Sequence, residues 1–372
     1  MIYLDYQATT PVAPEVSAAM QPWISEKFAN AHSPSRWGRE AAAAIEVARK
    51  QVEQAIGLPG GRLAFTGSAT EALNWAIKWM MEKAPKDRSR IVTVATEHAA
   101  VLDTCEWLED RGCDVVRLPV GSDGLLNLDE VKAALDERTA LVAVMLVNNE
   151  IGVIQPVAEV AKLSRHAGAL MLCDAVQGFG RIGVPKGPDL VAVSAHKIHG
   201  PKAIGALWMR DGVEPAPLIH GGGQEMGIRS GTLSPALCVG FGAAAKLASE
   251  RRSTDHAHVE RLWGAARDEL GPGWAINGST DHRYHGNLNL RREGLDAARL
   301  ISDLRDIAFS LGSACASGSG RPSHVLRAIG LSDGETRSSV RLGFGRYTTE
   351  EELISAVRRI EGAARAQQGL AA

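Results

Sequence analysis

Between residues 62 and 210, short and almost entirely apolar segments alternate with longer amphipathic ones. The apolar segments read RLAFT, RIVTVA, CDVVRL, ALVAVMLV, ALMLC, LVAVS and IGALWM. The clearest helical patterns between them are TEALNWAIKWMMEKA, AAVLDTCEWLEDRG and PVAEVAKLSRHAG. Strands without polar alternation are buried on both faces, and intervening helices let successive strands run in the same direction. The pattern predicts an α/β domain with a mostly parallel sheet.

The last third of the chain has a different pattern. Charged segments such as KLASERRS and VERLWGAARDEL precede NLNLR, GLDAARLISDLRD, IAFSLGSAC and SSVRLGFGRYTTEEELISAVRRIEGAAR. This mixture predicts a smaller α+β domain packed on the first. We expect a large domain over residues 15–245 and a small domain made of residues 1–14 and 246–372, with no Pro/Gly/Ser-rich linker between them. The closing AQQGLAA is typical of a frayed terminus.

Composition excludes several classes of protein. The 372 residues are 45% apolar and 23% charged with a net charge of −2, so neither disorder nor a basic nucleic-acid surface is indicated. No apolar run approaches the ~20 residues of a membrane span, and MIYLDYQATTP lacks the pattern of a signal peptide. The five cysteines form no C-x-x-C pair. They favour a reducing cytoplasm over a disulfide scaffold or a metal site.

A candidate phosphate site follows the first strand of this domain. In FTGSATEALNWAIKW a strand gives way to a helix after Gly67, so free N–H groups and two hydroxyls lie at a helix N-terminus, where phosphate binds well. The spacing of a Walker loop is absent, which argues against nucleoside triphosphates. Taken alone, the same residues are explained more readily by an ordinary helix cap from Ser68 or Thr70, with Glu71 in the first turn.

Two charged residues are expected at the carboxyl edge of the sheet. Asp174 ends the strand LMLCD and Lys197 follows the strand LVAVS, and ligands bind at this edge of parallel sheets. Each residue alone has an ordinary explanation, a capping carboxylate or a solvated amine. Together with the phosphate turn they suit pyridoxal phosphate, which needs an amine for its aldehyde, an acid for its ring nitrogen and N–H groups for its phosphate. They predict a Schiff-base lysine and a carboxylate that keeps the ring protonated.

Eight segments carry a resemblance that extends through nearly the whole chain. They read YLDYQATTP, FTGSATEALNWAIK, TEHAAVLDTC, VNNEIGVIQP, CDAVQGFG, SAHKIHGPKAIGALW, GGGQEMGIRSGTLS and SLGSACASGSGRPSHVLRAIG. In order and spacing they resemble the aminotransferase class V family of pyridoxal-phosphate enzymes, and within it the cysteine desulfurases of the NifS/IscS type. The resemblance implies pyridoxal-phosphate fold type I, similar to aspartate aminotransferase, with a seven-stranded sheet in the large domain.

The resemblance also implies roles for the matching residues. Gln177 would hydrogen-bond the phenolic oxygen of the cofactor, and His98 would stack on its ring and move protons. Asn149 and Arg341 would hold the substrate α-carboxylate, for which the arginine fork is suited. Thr232 would contact the phosphate of the neighbouring subunit, which implies a homodimer with shared sites. The positions that match phosphate ligands are Ala69, Thr70, Ser194 and His196. Outside this pattern, His98 would be interpreted as a helix cap and Arg341 as part of a surface ion pair.

Cys315 distinguishes a desulfurase from a plain transaminase. It lies in GSACASGSGRPS, whose composition is typical of a mobile loop. A structural cysteine lies more often in an apolar strand, as Cys173 and Cys238 are expected to do. A thiol with the ordinary pKa of about 8.5 is mostly protonated at pH 7, so the site must activate it.

The implied activity is that of a pyridoxal-phosphate-dependent cysteine desulfurase. L-Cysteine would displace Lys197 from the cofactor, the lysine and His98 would handle the Cα proton, and Cys315 would take the sulfur as a persulfide, leaving L-alanine. The sulfur would pass to an acceptor protein such as an iron–sulfur scaffold, for cluster assembly or tRNA thiolation. The alternatives are a selenocysteine lyase, another class V β-lyase or transaminase, and a cofactor-binding protein without catalytic activity.

The chain departs from its relatives at two places. The phosphate turn reads Thr66-Gly67-Ser68-Ala69 where relatives commonly have Thr-Ser-Gly-Ala. This exchange of hydroxyl and glycine would shift one phosphate contact. The chain also continues only briefly after RRIEGAAR, where housekeeping desulfurases typically extend further and dock their scaffold protein. The sequence therefore leaves the acceptor undetermined.

Overall fold

The computed structural model describes residues 1–85, 87–312 and 322–371. The strands are β1 Ile2–Tyr3, β2 Gly61–Thr66, β3 Arg90–Val94, β4 Asp114–Leu118, β5 Thr139–Met145, β6 Leu170–Asp174, β7 Leu190–Ser194, β8 Gly205–Arg210, β9 Trp274–Ile276, β10 Asn287–Arg292, β11 Ile307–Ala308, β12 Ser310–Leu311 and β13 Ser339–Gly343. The helices are α1 Pro14–Ser25, α2 Arg36–Ile56, α3 Ala69–Lys83, α4 Ala99–Glu109, α5 Leu128–Ala134, α6 Val157–His166, α7 Pro235–Glu269, α8 Ala297–Asp303, α9 His324–Ala328, α10 Asp333–Arg337 and α11 Glu350–Ala371.

The larger sheet has seven strands in the order β2-β8-β7-β6-β5-β3-β4. Strands β7, β6, β5, β3 and β4 pair in parallel, whereas β8 is antiparallel to both of its neighbours. The predicted α/β class and the mostly parallel sheet are confirmed. Strand β8 is antiparallel because only residues 195–204 separate it from β7, which is too short for a crossover between parallel strands.

Helices cover both faces of this sheet. Adjacent residues of β5 point to opposite sides, so Leu141 packs with α3 and α4, while Val142 packs with α2, α6 and α7. Every residue of β5 is buried. This double burial explains why the strands carry no polar alternation.

A second core lies on a smaller antiparallel sheet, with the order β12-β13-β10-β9. Leu288 and Val340 of this sheet pack with Leu262 of α7 and Val357 of α11. Leu4 joins the same core beside β1, which pairs in parallel with β11. The N-terminal segment therefore packs with the C-terminal third of the chain.

Helix α7 connects the two cores. Its N-terminal half contributes Phe241 and Ala245 to the core of the large sheet, and its C-terminal half contributes Leu262 and Ala266 to the other. The boundary expected between residues 245 and 246 thus falls inside a continuous helix. The division into two domains remains a prediction.

The C-terminal segment differs from the expectation of a frayed end. Helix α11 continues to Ala371, and Gln367 and Gln368 lie on it. Gln367 Oε1 accepts from the Asp296 N–H at 3.0 Å, and Gln368 Oε1 accepts from Arg292 Nη2 at 2.9 Å. These contacts hold the helix against the small sheet. Across the described ranges, none of the helices is both long and apolar enough to cross a bilayer.

Candidate active site

A cavity of about 610 Å³ lies at the carboxyl edge of the parallel strands. It brings together Ala69, Thr70, His98, Asn149, Asp174, Gln177, Ser194, His196, Lys197 and Arg341. Thr232 is exposed and does not line this cavity. Cys315 lies outside the described residues. All the other predicted site residues therefore surround one space.

Lys197 is held at the cavity by the N-terminal segment. It follows β7 in a single 3₁₀ turn, Ala195–Lys197. Its Nζ donates to the carbonyl oxygens of Gln7 at 2.6 Å and Ala8 at 2.7 Å. The Thr10 N–H in turn donates to the His196 carbonyl at 3.0 Å. The segment YLDYQATTP has no role that its sequence alone indicates; in the structure its residues Gln7, Ala8 and Thr9 form part of the cavity wall.

Asp174 is the last residue of β6 and is buried. Its Oδ1 accepts from the Val176 N–H at 2.9 Å, the local turn contact that the capping interpretation expects. Burial raises the pKa of Asp174, while the charges of His98 and Lys197 and the Val176 N–H oppose that rise. The carboxylate also lines the cavity, so the capping role and a ligand role are compatible.

A second buried carboxyl group, Glu97, was not singled out from the sequence. Its Oε1 accepts from the Met145 N–H at 2.6 Å, and its Oε2 has no hydrogen-bond partner among the described residues. Burial, with a contribution from the charge of Asp174, raises the pKa of Glu97 well above its usual value. The raised pKa favours the protonated form of Glu97, which avoids a second negative charge beside Asp174. Its position before His98, just beyond β3, was the available signal.

The turn before α3 has the geometry of both a cap and an anion site. Ser68 Oγ accepts from the Glu71 N–H at 3.1 Å, so Ser68, not Thr70, is the capping residue. The Gly67 N–H donates to Glu71 Oε2 at 2.7 Å. The N–H groups of Ala69 and Thr70 precede the first intrahelical bond, from Ala72 N to Ser68 O, and both residues line the cavity. The turn can therefore present N–H groups to an anion.

Strand β8 packs directly against this turn because it begins with a glycine. A Cβ atom on Gly205 would lie 2.5 Å from the Ser68 carbonyl carbon and 2.6 Å from the Ala69 nitrogen. Only a residue without a side chain permits this approach.

Each of the two cavity histidines, His98 and His196, has its Nδ1 in a hydrogen bond. His98 Nδ1 accepts from the Ala100 N–H at 3.0 Å and caps α4. The neutral ring then carries its proton on Nε2. His196 Nδ1 lies 3.1 Å from Thr9 Oγ1. Burial, helped by the charges of Lys197, Lys202 and Arg181, lowers the pKa of His196 to about 4, so this ring is neutral at pH 7.

Arg341 reaches the cavity from β13 and is 1% exposed, so the interpretation as a surface ion pair is wrong. Its Nη2 donates to Asp5 Oδ1 at 2.8 Å and Ser310 Oγ at 3.2 Å, and its Nη1 donates to the Asn149 carbonyl at 2.9 Å. Its Nε is buried and has no hydrogen-bond partner within the described ranges. The Nε–H and the second N–H of Nη1 thus remain for a ligand among the contacts of the described residues.

Comparisons with known proteins agree with the resemblance. The chain matches the family model described as aminotransferase class-V over residues 2–355. Proteins named cysteine desulfurase IscS from Rickettsia bellii and Rickettsia akari are each 44% identical over 368 residues, covering 96% of this chain and 90% of theirs. A solved NifS-like protein is 34% identical with a TM-score of 0.92, covering 98% of this chain and 99% of that chain. A structure titled SspA in complex with cysteine is 34% identical with a TM-score of 0.82, covering 94% and 100%.

Proposed function

The chain belongs to the aminotransferase class V family and is a cysteine desulfurase of the NifS/IscS type, and from this premise we propose that the cavity is its active site. The observation that carries the proposal is the meeting of Lys197, Asp174 and the Ala69–Thr70 turn around one space. An amine, a carboxylate and N–H groups are the three partners that pyridoxal phosphate needs.

The residues present fit pyridoxal phosphate. Asp174 is buried, and the one hydrogen bond found for its carboxylate within the described ranges comes from the Val176 N–H, so a protonated ring nitrogen would be a favourable partner. Ala69, Thr70, Ser194 and His196 would hold the phosphate. Gln177 would bond the phenolic oxygen, and the flat His98 ring would cover one face. When bound, this cofactor supplies an electron sink for the substrate Cα.

The proton steps belong to Lys197, His98 and Asp174. Lys197 would hold the aldehyde until the substrate amine replaces it, and its free amine would then take and return the proton at Cα. His98 has Nδ1 engaged with the backbone, so Nε2 is the atom that would exchange protons. Asp174 would hold a proton on the ring nitrogen because a carboxylate favours a neighbouring positive charge.

Arg341 and Asn149 would orient the substrate. Arg341 Nε, which has no partner in the part of the chain that the structure describes, is a buried donor beside the cavity, where it would bind the α-carboxylate of L-cysteine. The pairing of Nη2 with Asp5 keeps the guanidinium in place. Arg341 and Asn149 would thus bind the substrate, and the proton transfers are left to Lys197, His98 and Asp174.

Cys315 would complete the reaction. Its thiolate attacks the substrate sulfur, the bond from that sulfur to Cβ breaks, and a sulfur–sulfur bond forms. The electron pair of the broken bond goes to Cβ, which gains a proton, and the products are L-alanine and a persulfide on Cys315. One sulfur atom moves and no external oxidant or reductant is required.

The proposed function also implies protein partners and a cellular location for this enzyme. Thr232 would contact the phosphate held by a second copy of the chain, in a homodimer with shared sites. The persulfide sulfur would pass to an acceptor protein such as an iron–sulfur scaffold, in the cytoplasm.

The substrate preference of the enzyme tests the proposed function. L-Cysteine, cysteine sulfinate and selenocysteine are supplied in turn to wild type and to Lys197→Ala, and alanine is measured. Preferred turnover of L-cysteine that is lost in Lys197→Ala supports the proposal. Faster release from selenocysteine, or retained activity in Lys197→Ala, would favour the lyase alternative or a different site.

A further inference from the structure

Arg181 lies behind the cavity and binds three chain segments at once. Its Nη1 donates to Gln177 Oε1 at 2.5 Å, and its Nη2 donates to the carbonyl oxygens of Lys197 at 2.9 Å and Tyr6 at 3.0 Å. The guanidinium carbon lies 5.3 Å from the ring centre of Tyr284. Arg181 does not line the main cavity; it lines a smaller one of about 40 Å³ on the other side of Lys197.

These contacts determine which way the Gln177 amide faces. An arginine can only donate, so the atom facing Arg181 must be Gln177 Oε1. A backbone carbonyl can only accept, so the atom 2.9 Å from the Gln7 oxygen must be Gln177 Nε2. The oxygen is turned toward Arg181, and the second N–H of Nε2 is left for the cavity. Gln177 can therefore offer a donor to a ligand through Nε2.

The charge of Arg181 also acts on the site. Among the described residues, no carboxylate forms an ion pair with Arg181, and its hydrogen-bond acceptors are neutral oxygens. Its positive charge reaches His196, whose pKa it helps to lower. The other charged or titratable groups that line the main cavity with Lys197 are Asp174, His98, His196, Lys202 and Arg341. Those that line the smaller cavity with Lys197 and Arg181 are Tyr6, His199, Asp255, His256, Tyr284 and Arg346.

We propose that Arg181 is a positioning residue of the cofactor site. It fixes Gln177 as a hydrogen-bond donor to the phenolic oxygen of pyridoxal phosphate, and its charge disfavours a proton on the nitrogen through which Lys197 holds the cofactor. This inference rests on the proposed function. A like charge nearby lowers the proton affinity of that nitrogen, and a fixed donor strengthens binding of an ionised oxygen.

Two substitutions separate the effect of the Arg181 charge from its effect on the orientation of the Gln177 amide. Arg181→Met removes both, whereas Arg181→Lys keeps the charge but lacks the fork that bridges Gln177 and the two carbonyls. The first readout is the pH midpoint of the visible absorbance change of the bound cofactor. The second is the dissociation constant of pyridoxal phosphate, measured after dialysis.

We expect Arg181→Met to raise the pH midpoint by about one unit and to weaken cofactor binding about tenfold. We expect Arg181→Lys to leave the midpoint nearly unchanged and to weaken binding several-fold. In a Gln177→Ala background, Arg181→Lys should cause less than about a twofold further loss, because the orienting contact is already gone.

Two results would overturn the inference. One is a midpoint in Arg181→Met equal to that of wild type. The other is a loss of pyridoxal phosphate binding by Arg181→Lys that is as large in the Gln177→Ala background as in wild type. If wild type binds no cofactor, or if Lys197→Ala shows the same titration as wild type, the proposed function itself fails and the inference fails with it.

Discussion

His98 and Asp174 each use one atom to hold the backbone and leave another for chemistry. His98 Nδ1 caps α4, and Asp174 Oδ1 accepts from the Val176 N–H. A side chain that is held at one atom loses little further freedom when the other binds a ligand. Each of these two side chains therefore stabilises the fold with one atom and is already positioned to bind a ligand with another.

Substitution of Asp174 by asparagine tests the cost of burying this carboxylate. Burial raises the pKa of Asp174 above its unfolded value of about 3.9, so the native state binds more protons than the unfolded chain between the two pKa values. Stability of the cofactor-free protein from this group therefore falls as pH rises through that window. Asparagine does not ionise, and its Oδ1 still accepts from Val176.

We expect cofactor-free Asp174→Asn to be more stable than wild type at pH 7, with the difference vanishing toward pH 4. Urea unfolding at both pH values measures this. A variant that is less stable at pH 7, or a difference independent of pH, would contradict the account of Asp174.

Single residues of the site could be predicted because their types match one cofactor. Lys197, Asp174 and the turn at Ala69 suffice to suggest pyridoxal phosphate, and the structure surrounds one cavity with them. Arg181 and Glu97 could not be found in this way. Their contribution depends on contacts across the fold, from Arg181 to Tyr6 and from Glu97 to Met145. The sequence shows that Glu97 precedes His98 beyond a strand, but it does not show these contacts.

Among the elements, the strands of the large sheet were predictable and α7 was not. Strand β7 has the predicted bounds because its five residues are all buried and apolar enough to stand out. Helix α7 packs first on one core and then on the other, so its apolar face changes along its length. Local periodicity then divides one helix into separate segments.

The turn after β6 gives an element-scale prediction. Gly180 has φ of +73°, and an added Cβ would lie 2.8 Å from Ile198 Cγ2 and 3.0 Å from Ala248 Cβ. A left-handed alanine costs about 1–2 kcal/mol, and the crowding adds to this. We expect Gly180→Ala to lower the free energy of unfolding by about 2–3 kcal/mol and to disturb Lys197, the neighbour of Ile198.

Gly183→Ala is the matched control three residues further along the chain. Gly183 lies outside the left-handed region, and a Cβ placed there would meet no described atom within 4 Å apart from its chain neighbours. Its effect on the free energy of unfolding should stay within about 0.5 kcal/mol in the same urea titration. Equal effects of the two substitutions would contradict the strain expected at Gly180.

At the scale of the whole molecule, the cavity is assembled from both cores. Lys197 and Asp174 come from the large sheet, whereas Arg341 comes from β13 of the small sheet and is held by Asp5. The segment that carries Thr232 is tied to the phosphate turn by Arg229, whose Nε donates to Glu71 Oε1 at 2.8 Å. This tie would hold Thr232, the residue proposed to serve a second copy of the chain, in a fixed position relative to the phosphate turn of its own chain.

Mixing two inactive chains tests the shared site. In a mixed dimer of Lys197→Ala and Thr232→Ala chains, one site combines an intact Lys197 with an intact Thr232 from the partner. At cofactor concentrations that saturate wild type but not Thr232→Ala, random mixing should restore about a quarter of wild-type activity. Activity equal to the average of the separate variants would contradict sharing.

The most direct test of the proposed function is the mass of the peptide that contains Cys315 after the enzyme is given L-cysteine. We expect this peptide to gain one sulfur atom for each alanine released in the first turnover. We expect no gain in Lys197→Ala, and no transferable sulfur in Cys315→Ala. Alanine release with sulfur on no residue, or undiminished sulfur transfer by Cys315→Ala, would contradict the proposal that this thiol receives the sulfur.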